Sequence, residues 1–101
     1  MPLRVLLHAP TAGALERGRA NARNLQRARP DAEILLIAIA NADAVAAALA
    51  TPDADTNDCL RLCANTLRNR QLHNHRGLAE VAAAVETLAL LQTEGWCYIR
   101  A

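Results

Sequence analysis

A chain of 101 residues with a net charge of +1, 21% charged and 52% hydrophobic, is the size of one compact domain, 1–101, with material for one modest core. That balance excludes a disordered or membrane-embedded chain and argues against an obligate nucleic-acid binder. Lysine is absent, all 11 basic side chains being arginine, which rules out Schiff-base chemistry and any P-loop mechanism that needs its lysine.

The N-terminal run carries Arg4 inside its apolar stretch and no small-residue cleavage site, and no run approaches the roughly 20 apolar residues of a membrane span, so the expected location is cytoplasmic and membrane-free. Leu3 to His8 is short and apolar and is followed by Pro10 and Thr11, a helix start, so it predicts a buried strand. From Thr11 to about Ala28 the apolar residues Leu15, Ala22 and Leu25 fall on one helical face and Arg19, Arg23 and Arg27 on another, a solvated face. Glu33 to about Ala40, past Pro30, is too short for a comfortable helix and rich in isoleucine and leucine, which predicts a second buried strand. The alanine-rich 41–50 run predicts a helix capped by Asn41 or Asp43 and stopped at Thr51-Pro52. Asp53 to Asp58 is polar and predicts a loop.

"CLRLC", Cys59 to Cys63, alternates as a strand does, and "NTLRNRQL" offers an asparagine cap and helix formers. "HNHRG" predicts a turn, "LAEVAA" a short fourth strand, "AVETLALLQTE" a helix closed by Gly95, and "WCYIR" a final strand. The order β-α-β-α-β-α-β-α-β calls for a parallel sheet covered on both faces, with right-handed crossovers. Scarce aromatics and abundant alanine predict a thin core that oligomer contacts would supplement.

In an open parallel sheet, ligands bind at the carboxyl ends of the strands. This rule selects His8 after the first strand, Asn41 after the second, and Cys63 with Asn65 and Thr66 after the third. Three cysteines give no disulfide framework and leave at least one thiol free or paired between chains, which favours a reducing compartment. Cys63 stands just before a helix whose N–H groups and dipole favour a thiolate; the alternative is a buried cysteine acting as a small hydrophobe. On a strand, Cys59 and Cys63 lie about 13 Å apart, too far for a disulfide or a shared ion. Cys59 is then core, and Cys97, beside Trp96, is structural. His8 is a secondary candidate, to pair with the thiol or polarise a ligand.

His73 and His75 have no neighbouring carboxylate and read as a surface turn rather than a metal site. The stretch after the first strand lacks a glycine-rich phosphate loop, so a dinucleotide has no support. No cofactor, metal or nucleic-acid partner is expected from these patterns.

The stretches "VLLH", "ALERGRANARNL", "AEILLIAIANADAV", "CANTL" and "LLQTEGWCYIR" together resemble the DsrE/DsrF-like family of small cytoplasmic proteins linked to intracellular sulfur oxidation and sulfur relay. The resemblance covers nearly the whole chain and is most specific in "C-x-N-T-L" and "Q-x-E-G-W-x-Y-I". It implies a three-layer α/β/α sandwich with a parallel five-stranded sheet and assembly as a dimer, trimer or hexamer. In the sulfur-transferring members a cysteine near the third strand holds sulfur as a persulfide, and Cys63 falls in that motif. The implied function is a sulfur carrier handing persulfide to a relay protein's thiol; the alternative is a non-catalytic assembly module with Cys63 structural. Where many relatives have glycine, this chain has Ala42 and Ala64, which narrows the approach of a ligand to the backbone.

Overall fold

The computed structural model describes residues 3–38, 42–51 and 53–101. Five parallel strands form one sheet in the order β4-β3-β2-β1-β5. They are β1 (Arg4–Ala9), β2 (Glu33–Ala38), β3 (Leu60–Cys63), β4 (Glu80–Val81) and β5 (Cys97–Arg100). Between them run α1 (Ala12–Ala28), α2 (Ala42–Ala50), α3 (Ala54–Asn57), α4 (Ala64–Asn69) and α5 (Ala84–Thr93). The α/β architecture with its parallel five-stranded sheet is the one the sequence predicts.

The strand order dictates how the faces are covered. From β1 to β4 the chain steps in one direction across the sheet, and right-handed crossovers taken in one direction all pass over the same face. The step from β4 to β5 goes back across three strands, so its helix takes the opposite face. The core divides accordingly. Val5, Leu7, Leu36, Leu60 and Leu62 pack against Leu15 and Ala22 of α1, Val45 and Ala48 of α2, and Leu67 of α4. On the other face Leu6, Ile37 and Cys63 pack against Ala84 and Leu88 of α5, with the half-buried Leu91 and Trp96 beside them. In β1, Leu6 and its neighbours Val5 and Leu7 point to opposite cores, so the strand is apolar continuously rather than alternately.

Small residues let the helices lie close. A Cβ at Gly18 would stand 2.7 Å from Leu36 Cδ1 and 3.4 Å from Ala101 Cβ, so glycine there sets the distance between α1 and the sheet. Thr11 caps α1, its hydroxyl accepting from the Ala14 N–H at 3.0 Å. Gly95, at φ 91°, closes α5 as predicted: the Trp96 N–H reaches back to the Leu91 carbonyl, a turn that needs a left-handed residue between them.

Several expectations are corrected. The Asp53–Asp58 segment is not all loop: the Asp53 carbonyl accepts from the Thr56 and Asn57 N–H groups and starts the single turn of α3. Cys59 precedes β3 rather than opening it, and its Sγ donates to the Thr56 carbonyl at 3.2 Å; it is core, as expected. The fourth strand is two residues long. Cys97 is exposed, not structural, because β5 is an edge strand whose four residues are all exposed. Arg19 is 6% exposed and so is not part of a solvated arginine face. Four residues on from Leu15, it lies along the same side of the helix.

The larger core carries the fold. Leu62→Ala is expected to lower the unfolding free energy by about 2–5 kcal/mol. Val85→Ala, at a side chain 73% exposed, should change it by no more than about 0.5 kcal/mol. Urea unfolding of the two variants at equal protein concentration checks the contrast.

Candidate functional site

Neighbouring strands whose following helices pass over opposite faces leave a crevice between their carboxyl ends. Here those strands are β3 and β4, paired through Cys63 and Val81: α4 follows on one face, α5 on the other. Cys63 ends β3 at this place and is also the N-cap position of α4. Its side chain lies on the α5 face, beside Ala84 at the start of α5.

Two helix N-termini therefore meet at one sulfur. Neither Cys63 nor Ala83, the residues at the two cap positions, provides a side-chain capping hydrogen bond, so first-turn N–H groups of both helices remain available. Burial pushes the Cys63 thiol up. The Ala84 N–H, the Thr66 hydroxyl and the Thr66 and Asn65 N–H groups around the sulfur favour the thiolate and outweigh burial, holding the thiol below its ordinary value. The residue is 7% exposed. Cys59 is the opposite case: burial pushes its thiol up, and the nearby backbone groups and Arg61 do not offset it. The two thiols of the C-x₃-C stretch belong to different cores on opposite faces, which disposes of a shared metal ion or disulfide.

The other predicted residues are arranged less tightly. Thr66 adjoins the sulfur through its hydroxyl and its N–H. Asn65 contributes its N–H to the sulfur but is not the helix cap, and its side-chain oxygen accepts from Arg68. Asn41 lies outside the described residues. His8 ends up on the same face and edge, but it is paired with Ile37 across to β2 and so is level with Arg61 of β3; Cys63 lies two strands over and two residues further along, about 12 Å away at the usual strand spacing and rise. Its Nδ1 lies 2.5 Å from the Tyr98 hydroxyl, and its Nε2 is buried without a hydrogen-bond partner. Burial, then the Arg100 charge, lowers the His8 pKa, so the imidazole stays neutral through more of the pH range. His8 is a partner of Tyr98 rather than of the thiol.

Sequence reasoning missed the Ala84 N–H and Tyr98. A backbone donor has no side-chain signature, and Tyr98 reaches His8 only because β5 lies beside β1. The "HNH" stretch is the surface turn expected: His73 and His75 are exposed, and Asn74 ties the loop together through the Leu78 carbonyl at 2.7 Å and Glu80 at 2.8 Å. Among the described residues no group of three or more His, Cys, Asp or Glu side chains is placed to hold a metal ion. No described helix is long and apolar enough to cross a membrane.

No family model matches the chain, and no curated protein does. Among solved structures it is similar to the protein of unknown function MTH1491 from Methanobacterium thermoautotrophicum. The TM-score is 0.76 at 23% identity, over 98% of this chain and 99% of that one. That likeness concerns the fold.

The donors around Cys63 have two measurable consequences. Thr66→Val removes the hydroxyl, so the pH midpoint of Cys63 alkylation should move up relative to the parent; an unchanged midpoint would remove Thr66 from the site. Because the folded thiol value lies below the unfolded one, the unfolded chain holds the proton to higher pH. Stability from the thiolate is therefore gained as pH rises between the folded and unfolded values, is complete above the unfolded one, and is lost on descent through the folded one. Cys63→Ser should lose that rise in a pH series of urea midpoints. His8 makes a separate prediction: with its folded value lowered, stability should fall as pH drops below the unfolded value of about 6.5, and His8→Gln should flatten that acid limb.

Proposed function

We propose that this chain is a DsrE/DsrF-like sulfur carrier of the cytoplasm, with Cys63 as the carrying thiol. The observation that supports it most is the meeting of the α4 and α5 N-termini at the Cys63 sulfur, where N–H groups from both helices favour the anion. A thiolate held this way is a nucleophile. It attacks the outer sulfur of a donor persulfide, RS–SH. The Cys63 S–S bond forms, the donor S–S bond breaks, and RS⁻ leaves with the electron pair. The persulfide now on Cys63 is in turn attacked at its outer sulfur by an acceptor thiolate, which takes that sulfur and returns Cys63 as thiolate. The exchange is redox-neutral and requires only a donor persulfide and a protein thiol as partners. Thr66 and the N–H groups of Asn65 and Ala84 favour the thiolate both before attack and after release.

A second reading has its own support. Val85 and Leu90 of α5 and Tyr98 and Ile99 of the edge strand are exposed, and an unpaired edge strand invites another chain. In this reading the chain is a homo-oligomeric assembly module and Cys63 is a core residue at its centre.

The test uses Cys97→Ser, because Cys97 is exposed and would react on its own account. Incubation with glutathione persulfide should add the mass of one sulfur atom at Cys63. A later addition of a dithiol should remove it. Reaction with neither persulfide nor alkylating reagent until the protein is denatured would sink the carrier and leave the assembly reading, for which Ile99→Arg should then lower the mass found by sedimentation.

A further inference from the structure

The stretch from Cys59 to Ala79 holds four of the 11 arginines and none of the 10 acids. Three of the four, Arg68, Arg70 and Arg76, are exposed along α4 and the loop that follows it, and among the described residues none of the three is in an ion pair. Two hollows open on this surface. One, of about 610 Å³, lies between α4 and the 72–78 loop, with Leu67 and Leu78 beside Arg68. The other, of about 400 Å³, lies between that loop and the end of α2, with Leu49 beside His75 and Arg76. Leu72 and His73 line both, so the hollows form one surface. Its leucines pack down onto the larger core, which makes the floor apolar and the rim basic.

The rim is held in place. Arg68 Nη2 donates to the Asn65 side-chain oxygen and Arg76 Nε to the Leu49 carbonyl, so each guanidinium has a fixed contact and loses less freedom on making another. Glu80, the acid at the side of the larger hollow, accepts from Asn74 Nδ2 at 2.8 Å; against three arginines it leaves the surface positive. Gln71 turns the chain out of α4 at φ 54°, with the Leu72 N–H on the Leu67 carbonyl at 2.9 Å, a closure at which glycine is the least strained residue. A side chain is kept there, and it lines the larger hollow.

We propose that this surface docks an acidic segment of a partner protein, whose carboxylates meet Arg68, Arg70 and Arg76 and whose apolar side chains enter the two hollows. The guanidinium fork suits carboxylate and phosphate alike; the leucine floor decides between them. A phosphate backbone has no apolar group to place there, and no Trp or Tyr lines either hollow for a base to stack on. Charge complementarity of this kind speeds encounter and selects the partner. The surface is defined by charge and shape and does not require Cys63 to carry sulfur. Under the carrier reading it gains a use: Ala64, next to Cys63 in the chain, lines the larger hollow, so the docked partner stands at the start of α4.

The experiment titrates the intact chain with a glutamate-rich peptide containing leucines, with the same peptide carrying glutamine for glutamate, and with an oligouridylate of equal charge. It reads the Arg68 and Arg76 Nε–H resonances and the backbone amides of residues 71–77 at low and high salt. No persulfide is present, so the outcome is independent of the carrier reading. The glutamate peptide should shift these resonances saturably and bind less tightly at high salt, and the glutamine peptide should bind tenfold or more weakly. Arg68→Glu combined with Arg76→Glu should weaken binding tenfold or more. Arg29→Glu, the same charge change at an exposed residue outside the surface, should leave it unchanged. The proposal is overturned if the wild-type resonances do not move with the glutamate peptide, if the glutamine peptide binds as tightly, or if Arg29→Glu weakens binding as much as the double variant. Tighter binding of the oligouridylate than of the glutamate peptide overturns it too, and assigns the surface to nucleic acid. The wild-type titrations decide the matter even if the double variant fails to fold.

Discussion

Parallel strands cannot be joined by tight turns, so each must be followed by a crossover, and crossovers in this topology have one hand. Nearly everything specific about the molecule follows from that constraint applied to the order β4-β3-β2-β1-β5. Successive steps from β1 to β4 stack their helices on one face. The return from β4 to β5 leaves the other face to α5 alone. The change of direction falls between β3 and β4, so the first turns of α4 and α5 converge there from opposite faces. Cys63 is at that point because it is the last residue of β3. Its chemistry is thus set by chain topology more than by its side-chain neighbours.

The same constraint divides the burden of stability unequally. Alanine-rich α1 and α2, with Gly18 against Leu36, lie close over the central strands and bury most of the large aliphatic side chains. On the other face one helix shields Leu6, Ile37 and Cys63, while Arg4 lies over the Trp96 ring at 5.7 Å and bonds the Glu94 carbonyl, fastening the end of α5 back to β1. Beyond that fastening the β5 edge is open, with Tyr98 and Ile99 uncovered. A 101-residue chain that covers one face of its sheet so lightly has little apolar area to spare, and in the proposed assembly reading the exposed residues on α5 and β5 would add to it.

Strand and helix placement was legible in the sequence because short apolar runs and alanine-rich amphipathic stretches were separated by proline, glycine and polar punctuation. Cys63 was legible too, since ending a strand and preceding a helix are both local properties. The order of strands is not local. Without it, neither the second helix terminus at Cys63 nor the contact between His8 and Tyr98 has any signal, and Cys97 reads as structural although its strand is an edge. Arg19 differs for another reason. Its spacing from Arg23 and Arg27 suggested a polar face, whereas its equal spacing from Leu15 already placed it at the margin of the buried one. Arginine tolerates this position because Thr51, from the far end of α2, meets its Nη1. The α3 turn escaped notice because Asp53, Asp55 and Asn57 look like loop composition until a backbone carbonyl gathers them.

The balance at Cys63 can be weighed. Removing a thiolate from water costs several kcal/mol, and each hydrogen bond to a charged group returns about 1.5–3 kcal/mol. Donors from both helix starts, together with the Thr66 hydroxyl, outweigh the burial, in agreement with the lowered thiol value. Cys59 shows what burial does when such donors are too few. Cys97 shows the remaining combination, a thiol with free access on the sheet edge but not set between two helix starts. Reactivity toward sulfur needs both ionisation and access. The donors that favour the thiolate at Cys63 come largely from the backbone, and the residue itself is 7% exposed. Under the proposed carrier function, a partner thiol would approach along the β3–β4 crevice.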